Sequence, residues 1–167
     1  ANWTYTATPT INKTDYNTFT YSATAGSSYN ITTTDSKPSA TASGWTTSTS
    51  KDVTSAGTYY VWVKDSAGNV SSNNATITAY SITRSASNGT LTTRYDATAS
   101  NNGTAFTTTP LVVLANTNIW ASCSASSGYG SASLKHGTTT MTVGGAYYAV
   151  TSSEAISCSA TVETYSI

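Results

Sequence analysis

Residues 57–72 read Gly-Thr-Tyr-Tyr-Val-Trp-Val-Lys-Asp-Ser-Ala-Gly-Asn-Val-Ser-Ser, and this stretch decides the fold class. Its side chains alternate between two faces, with Tyr59, Val61 and Val63 together on one of them. The alternation stops at residues 65–69, Asp-Ser-Ala-Gly-Asn, and then resumes. A break of this composition between alternating runs is typical of a β-hairpin. The stretch therefore predicts two antiparallel strands joined by a turn.

The composition favours strands along the whole chain. Of the 167 residues, 36 are Thr and 27 are Ser, while only 8% are charged. Low charge alone does not indicate disorder here, because 12 Tyr, 4 Trp and 2 Phe supply material for cores. Thr, Tyr, Val and Ile favour strands, and helix-forming residues never cluster at helical spacing. We therefore predict an ordered all-β protein.

Charge and hydropathy limit the partners. The formal net charge is zero, which gives no electrostatic reason to expect nucleic acid or an anionic membrane as partner. No run of 18 apolar residues exists, so we expect no membrane insertion. The sequence opens at Ala1, with neither an initiator Met nor a signal peptide. We expect a mature product or a piece of something longer.

An internal similarity predicts two modules in series. Residues 75–82 read Ala-Thr-Ile-Thr-Ala-Tyr-Ser-Ile, and residues 160–167 read Ala-Thr-Val-Glu-Thr-Tyr-Ser-Ile. Five of the eight positions are identical and a sixth, Ile77 against Val162, is conservative. A period near this length marks module arrays, although chance in a Thr-rich chain is the alternative. We place the modules at residues 1–79 and 80–167.

The first module resembles bacterial immunoglobulin-like modules, which occur in surface proteins and phage fibres. The resemblance is carried by the hairpin sequence and by Gly57-x-Tyr59, which is similar to a tyrosine corner, where a phenol hydroxyl binds upstream backbone. It implies an immunoglobulin-like sandwich over residues 1–79. Candidate strands lie near Trp3–Thr8, Thr18–Thr24, Asn30–Thr34, Lys51–Thr54, Thr58–Lys64 and Ala75–Tyr80.

The second module, residues 80–167, resembles the divergent internalin B-type repeats. Three segments carry this resemblance, at residues 119–129, 132–137 and 155–162. It implies an antiparallel β-sandwich or a β-grasp-like repeat. Residues 85–110 show no amphipathic helix of the kind that a β-grasp arrangement contains.

The two cysteines, Cys123 and Cys158, both belong to the second module. Period-two alternation places each thiol on the apolar side of its predicted strand, Ile119–Ala125 or Ile156–Val162. We predict a disulfide between them, with two buried free thiols as the alternative. A disulfide implies an oxidising, extracellular setting. Two Cys and one His that do not cluster do not make a zinc site.

Titratable groups are too few to predict an enzyme. His136 is expected to be an exposed residue at the tip of a hairpin, and abundant Ser makes a triad uninformative. Glu154 and Glu163 show no pocket signature of a glycosidase pair. Asp65 and Asn69 offer oxygen ligands, but one carboxylate binds calcium poorly, so a turn is favoured. We expect no catalytic residue, cofactor or metal.

Two pairs of neighbouring aromatic residues form a candidate contact surface. Tyr60 and Trp62 point away from the predicted core face of their strand, and one of Tyr147 and Tyr148 should also face outward. Exposed aromatics often mark contacts with a neighbouring module, a subunit or a sugar ring. The alternative is that a flanking loop or the adjoining module covers Tyr60 and Trp62.

These observations predict a non-enzymatic structural or adhesive protein, a spacer or stalk in a long bacterial surface protein or extracellular filament. A phage virion fibre or head-decoration protein, and a carbohydrate-binding module of a secreted protein, are the alternatives. The expected partners are neighbouring modules or subunits of the same protein, with a host-surface protein or a glycan as further candidates. The expected location is extracellular or at the cell surface, or else in a virion.

Overall fold

The regular structure of the protein is entirely β. The computed structural model describes residues 7–96 and 102–164, and within these ranges the chain forms fourteen strands and no helix. The all-β prediction is confirmed. The chain divides into two compact units on either side of the Ala79–Tyr80 bond, here called unit 1 and unit 2. The described residues form no helix, and therefore none that is able to cross a membrane.

Unit 1 contains two antiparallel sheets. One has the order β1-β2-β4, and the other is built from β3, β5 and the first part of β6. Most of the predicted strand Trp3–Thr8 lies outside the described residues. The strands are β1 (Thr10–Lys13), β2 (Thr18–Ser22), β3 (Gly26–Thr32), β4 (Ser50–Asp52), β5 (Gly57–Asp65) and β6 (Ala75–Ser87).

Alternate residues of these strands build the core of unit 1. Phe19 and Tyr21 on β2 are buried, as are Tyr29 on β3 and Val61 and Val63 on β5. The ring of Tyr21 meets that of Tyr29 edge to face, with centroids 4.9 Å apart. Because β2 and β3 belong to different sheets, this contact joins the two layers.

The corner before β5 carries the hydrogen bond that the resemblance implies. Tyr59 is buried, and its hydroxyl donates to the carbonyl oxygen of Ser55 at 2.7 Å. The hydroxyl oxygen of Ser55 lies 3.1 Å from the same phenol. The phenol thereby ties the start of β5 to the backbone four residues upstream.

Unit 2 is also built from two sheets. One has the order β13-β10-β7-β8, and the other has the order β12-β11-β14-β6, with β9 also pairing β6. The strands that follow β6 are β7 (Gly89–Tyr95), β8 (Thr104–Ala105), β9 (Leu111–Leu114), β10 (Asn118–Ala125), β11 (Tyr129–His136), β12 (Thr139–Met141), β13 (Ala146–Ala149) and β14 (Glu154–Val162).

The pairing of β14 with β6 is parallel, with register pairs from Ile82–Glu154 to Ser87–Ser159. The antiparallel β-sandwich, one of the two arrangements expected for the second module, is therefore wrong at this pair. Residue alternation specifies which face is buried but does not specify strand direction, so the sequence pattern could not reveal it. The described part of residues 85–110 contains no helix, so a helix-containing β-grasp arrangement is not found there.

The core of unit 2 lies where its two sheets face each other. Ile119 and Ala121 of β10 are fully buried on one side, and Leu134 of β11 and Ile156 of β14 on the other. Ile119 and Ala121 are alternate positions of β10 and share its inner face, whereas Trp120 between them is buried on the other face. The two sheets meet through small and medium aliphatic side chains. Thr and Ser occupy most of the outward positions.

Replacing Tyr59 with Phe tests the corner of unit 1. We expect Tyr59→Phe to lower the free energy of unfolding of unit 1 by about 1 kcal/mol, since the buried Tyr59 side chain loses its hydrogen bond to the carbonyl oxygen of Ser55. Urea denaturation followed by tyrosine and tryptophan fluorescence would measure it. Tyr60→Phe, on the opposite face of β5, is the matched control and should change stability less. Equal effects of the two substitutions would contradict the structural role of the corner.

Candidate functional site

The predicted disulfide is present in unit 2. Cys123 of β10 and Cys158 of β14 are bonded, with their Cα atoms 5.4 Å apart. Since β10 and β14 belong to different sheets, the bond links the two layers of the unit. Loop closure over 35 residues reduces the entropy of the unfolded chain and so favours the folded state.

Residues 86–90, where the chain turns from β6 into β7, cover this disulfide and are here called the cover segment. Cys123 and Cys158 are only 6% and 2% exposed. Gly89, which opens β7, is so close that an added Cβ would lie 2.9 Å from the Sγ atom of Cys158. Ala86 on β6 is the register partner of Cys158, and Leu91 on β7 is that of Cys123. Solvent therefore reaches the sulfur atoms poorly while the cover segment is in place.

The aromatic pair on β5 is less exposed than predicted. Trp62 is 3% exposed, and its indole Nε1 donates to the hydroxyl oxygen of Thr32 at 2.8 Å. Tyr60 is half-buried. Trp62 is therefore not an exposed contact residue, because neighbouring chain covers the outer face of β5. A contact role for Tyr60 stays a prediction.

The segment after β3 provides this cover. Asn30, opposite the tryptophan across the strand pair, is buried and donates its side-chain amide to the carbonyl oxygen of Ser43. Lys64 donates to the carbonyl oxygen of Ala40 at 3.0 Å, and its ammonium lies 4.7 Å from the ring centre of Trp45. Alternation along β5 could not reveal this layer, since the covering residues have no regular pattern.

The aromatic pair on β13 is divided between two faces, as alternation predicts. Tyr147 is 50% exposed and stands opposite Trp120 of β10. Tyr148 is part-buried on the inner face, opposite Ile119. Tyr147 is thus the aromatic side chain of the four that remains open to a partner.

His136 lies in a small polar cluster that sequence reasoning missed. It ends β11 next to a turn, but it is part-buried, not exposed as expected. Its Nδ1 atom lies 3.1 Å from a carboxylate oxygen of Glu154, and its ring stacks on Tyr148 with centroids 4.0 Å apart. Burial, and then the charge of Glu154, raise the pKa of Tyr148. The phenol therefore stays protonated, and the cluster joins β11, β13 and β14.

Glu154 and Glu163, which the sequence did not support as a glycosidase pair, lie far apart in the structure. Glu154 begins β14 and Glu163 follows its last residue. Nine residues of extended strand separate them by about 30 Å, whereas the carboxyl groups of glycosidases lie within about 10 Å of each other. These two residues do not form a catalytic pair.

The carboxylate of Asp65 is committed to its turn. One oxygen accepts hydrogen bonds from the backbone N–H groups of Ala67 and Asn69, at 2.9 and 2.8 Å. The other accepts from the side-chain amide of Asn69 at 2.9 Å. The Asn69 side chain in particular lowers the pKa of Asp65. The arrangement favours the turn over calcium ligation. Within the described ranges, no three His, Cys, Asp or Glu side chains cluster as a metal site would require.

Comparisons with protein-family models, with curated proteins and with solved structures found no match to this chain.

Removing the disulfide should destabilise unit 2 selectively. For Cys123→Ser combined with Cys158→Ser, we expect a loss of about 3–4 kcal/mol, because a 35-residue loop regains its freedom in the unfolded chain. Urea denaturation of the oxidised protein and the double variant would measure it. The transition of unit 1 serves as the internal control. A loss below about 1 kcal/mol would show that the bond adds little to a self-sufficient core.

The Asp65 turn should be visible in a pH titration. NMR titration of the folded protein should place the carboxyl pKa of Asp65 below its ordinary value of 3.8. A pKa lowered by folding contributes stability above the unfolded value, and this contribution disappears as pH falls through the folded value. Asn69→Ala should move the pKa back up, since the largest cause is removed. An unchanged titration in that variant would contradict this assignment.

Proposed function

We propose that the protein is a load-bearing structural module pair of an extracellular bacterial surface protein or filament, acting as a spacer or stalk. The observation that supports this proposal best is the parallel pairing of β6 with β14. These are the first and last strands of unit 2, and six consecutive residue pairs join them.

This pairing suits a chain that is pulled from both sides of unit 2. Because β6 and β14 run in the same direction, a pull on the start of β6 and the end of β14 draws the strands past each other along their length. The hydrogen bonds between them then share the load and must break together. Strands pulled apart from one end break their hydrogen bonds one at a time, at lower force.

The disulfide and the composition fit the same setting. A structural disulfide is typical of oxidising, extracellular surroundings. The hydroxyl-rich chain has a formal net charge of zero and only 8% charged residues, which gives no electrostatic reason to expect a charged partner. A fibre or decoration protein of a phage virion carries loads of the same kind, and it remains the alternative setting of this proposal.

Tyr147 is the candidate point of adhesive contact. Half of its surface is exposed, and β13, which carries it, is an edge strand of its sheet. A neighbouring subunit or a sugar ring could stack on this phenol. The proposal assigns the chain no catalytic residue, cofactor or metal.

Pulling from different attachment points tests the load-bearing role. Handles joined through non-natural side chains at residues 81 and 161 load β6 and β14 lengthwise. Handles at residues 81 and 153, neighbours at one end of the strand pair, peel the strands apart. We expect the first geometry to require a clearly higher rupture force in optical-tweezers or atomic-force measurements. Equal forces in the two geometries would sink the proposal.

A further inference from the structure

We propose that the Cys123–Cys158 disulfide is a force-gated site of thiol–disulfide exchange, closed in the folded unit and opened by shearing of β6 from β14. The reacting partner would be a small thiol or a thiol oxidoreductase. This inference rests on the proposed function, because it needs a chain that carries tension.

The cover of the disulfide is the element that the load removes. Ala86 of β6 lies beside Cys158, and Gly89 and the carbonyl oxygen of Thr90 pack against its sulfur, the oxygen at 3.6 Å. Ala86 belongs to β6 and leaves β14 when β6 shears. Gly89 and Thr90 open β7, the next strand that the pull reaches, and β7 then peels from β10 beginning at this end. The cover segment therefore follows directly after the loaded strand in the chain.

The turn between β6 and β7 is held by hydrogen bonds to β14 and to the residue that follows β10. Asn88 adopts a left-handed conformation, with φ of 58°. Its side-chain amide donates to the carbonyl oxygen of Ala160 on β14, and its own carbonyl oxygen accepts from Ser126 just after β10. These bonds hold the cover shut in the absence of force and break as β6 slides.

Once β6 has sheared away, tension passes through the disulfide. The chain between residues 80 and 123 extends, and force then crosses from Cys123 to Cys158 and leaves through the end of β14. Residues 124–157, which contain β11, β12 and β13, lie outside this path and bear no load. The disulfide thus stores a length of chain that opening of β6 alone cannot release.

The Cys123–Cys158 bond is opened by thiol–disulfide exchange. A thiolate attacks one sulfur of the bond, forming a mixed disulfide, and the other cysteine leaves as a thiolate. A second thiol resolves the mixed disulfide, so that the small thiol is oxidised and both cysteines are reduced. Reduction adds 35 residue spacings to the stretched chain, roughly 120 Å at about 3.4 Å each.

The cover segment can be tested without force on the full chain. Dithiothreitol is added to the folded protein, and free thiols are trapped with a maleimide at intervals. We expect reduction at least about tenfold slower than in the urea-unfolded chain, since the reagent must wait for local opening. Equal rates would overturn the proposal, because the bond would then be open in the folded state.

A glycine pair provides a matched test of the cover. Gly89→Ala places a methyl group 2.9 Å from the Sγ atom of Cys158. The cover segment must then shift, and reduction of the disulfide should be faster. Gly144→Ala adds the same methyl group where nothing lies within 4 Å, and reduction should be unchanged. A Gly89→Ala protein that is reduced as slowly as the original would count against the assigned cover.

The gate itself is tested by pulling the full oxidised chain through its ends in dithiothreitol. We expect an added extension of roughly 120 Å that appears only after unit 2 has yielded, and never when the thiol is absent. In Cys123→Ser combined with Cys158→Ser, that length should be released in the first step.

The outcomes separate the inference from the function on which it rests. An added step that precedes the yielding of unit 2, or that is missing in the presence of thiol, overturns the gate even when rupture forces are high. Equal rupture forces in the two attachment geometries overturn the load-bearing role, whatever the order of the steps.

Discussion

The parallel contact between β6 and β14 is the interaction on which the rest of unit 2 depends. The strand that begins unit 2 is hydrogen-bonded to the strand that ends it, so the two ends of the unit are held together in one sheet. Ile82, the first residue of β6 that pairs with β14, is fully buried, and so is Ile156 on β14. Backbone hydrogen bonds and buried aliphatic side chains thus both stabilise the pairing of β6 with β14. The disulfide on β14 then fastens that pairing to the opposite sheet.

A hydroxyl-rich chain with small cores relies on specific polar contacts more than a typical globular domain does. In unit 1 the phenol of Tyr59 binds the backbone, and Asn30 is buried against a carbonyl oxygen of its covering segment. In unit 2 the Arg84 guanidinium donates to the carbonyl oxygens of Leu91 and Thr107. Burial lowers the pKa of Arg84, but a guanidinium keeps its charge at physiological pH. Each contact ties a side-chain donor to a backbone carbonyl oxygen and so holds two segments of chain together.

The polar cluster of His136, Tyr148 and Glu154 shows why candidate chemistry needs three dimensions. Its members come from β11, β13 and β14, and they lie up to 18 residues apart in sequence. The sequence predicted that His136, beside a turn glycine, is exposed, because no neighbouring residue in the sequence indicates a stacking partner. Trp62 shows the same limit of alternation: its position in β5 placed it on an outer face, and a flanking segment, the alternative considered for it, buries it there.

What the sequence determined by itself is local. Thr, Tyr and Val at alternating positions specified strands, Asp65 with Asn69 specified a turn, and matched apolar faces brought Cys123 and Cys158 into reach of each other. What only the tertiary structure decided is the direction of β14 against β6, the cover over Trp62 and the meeting of His136 with Tyr148. The physical reason is that period-two alternation encodes the face of a strand, whereas strand direction and layer contacts arise from the packing of segments far apart in the chain.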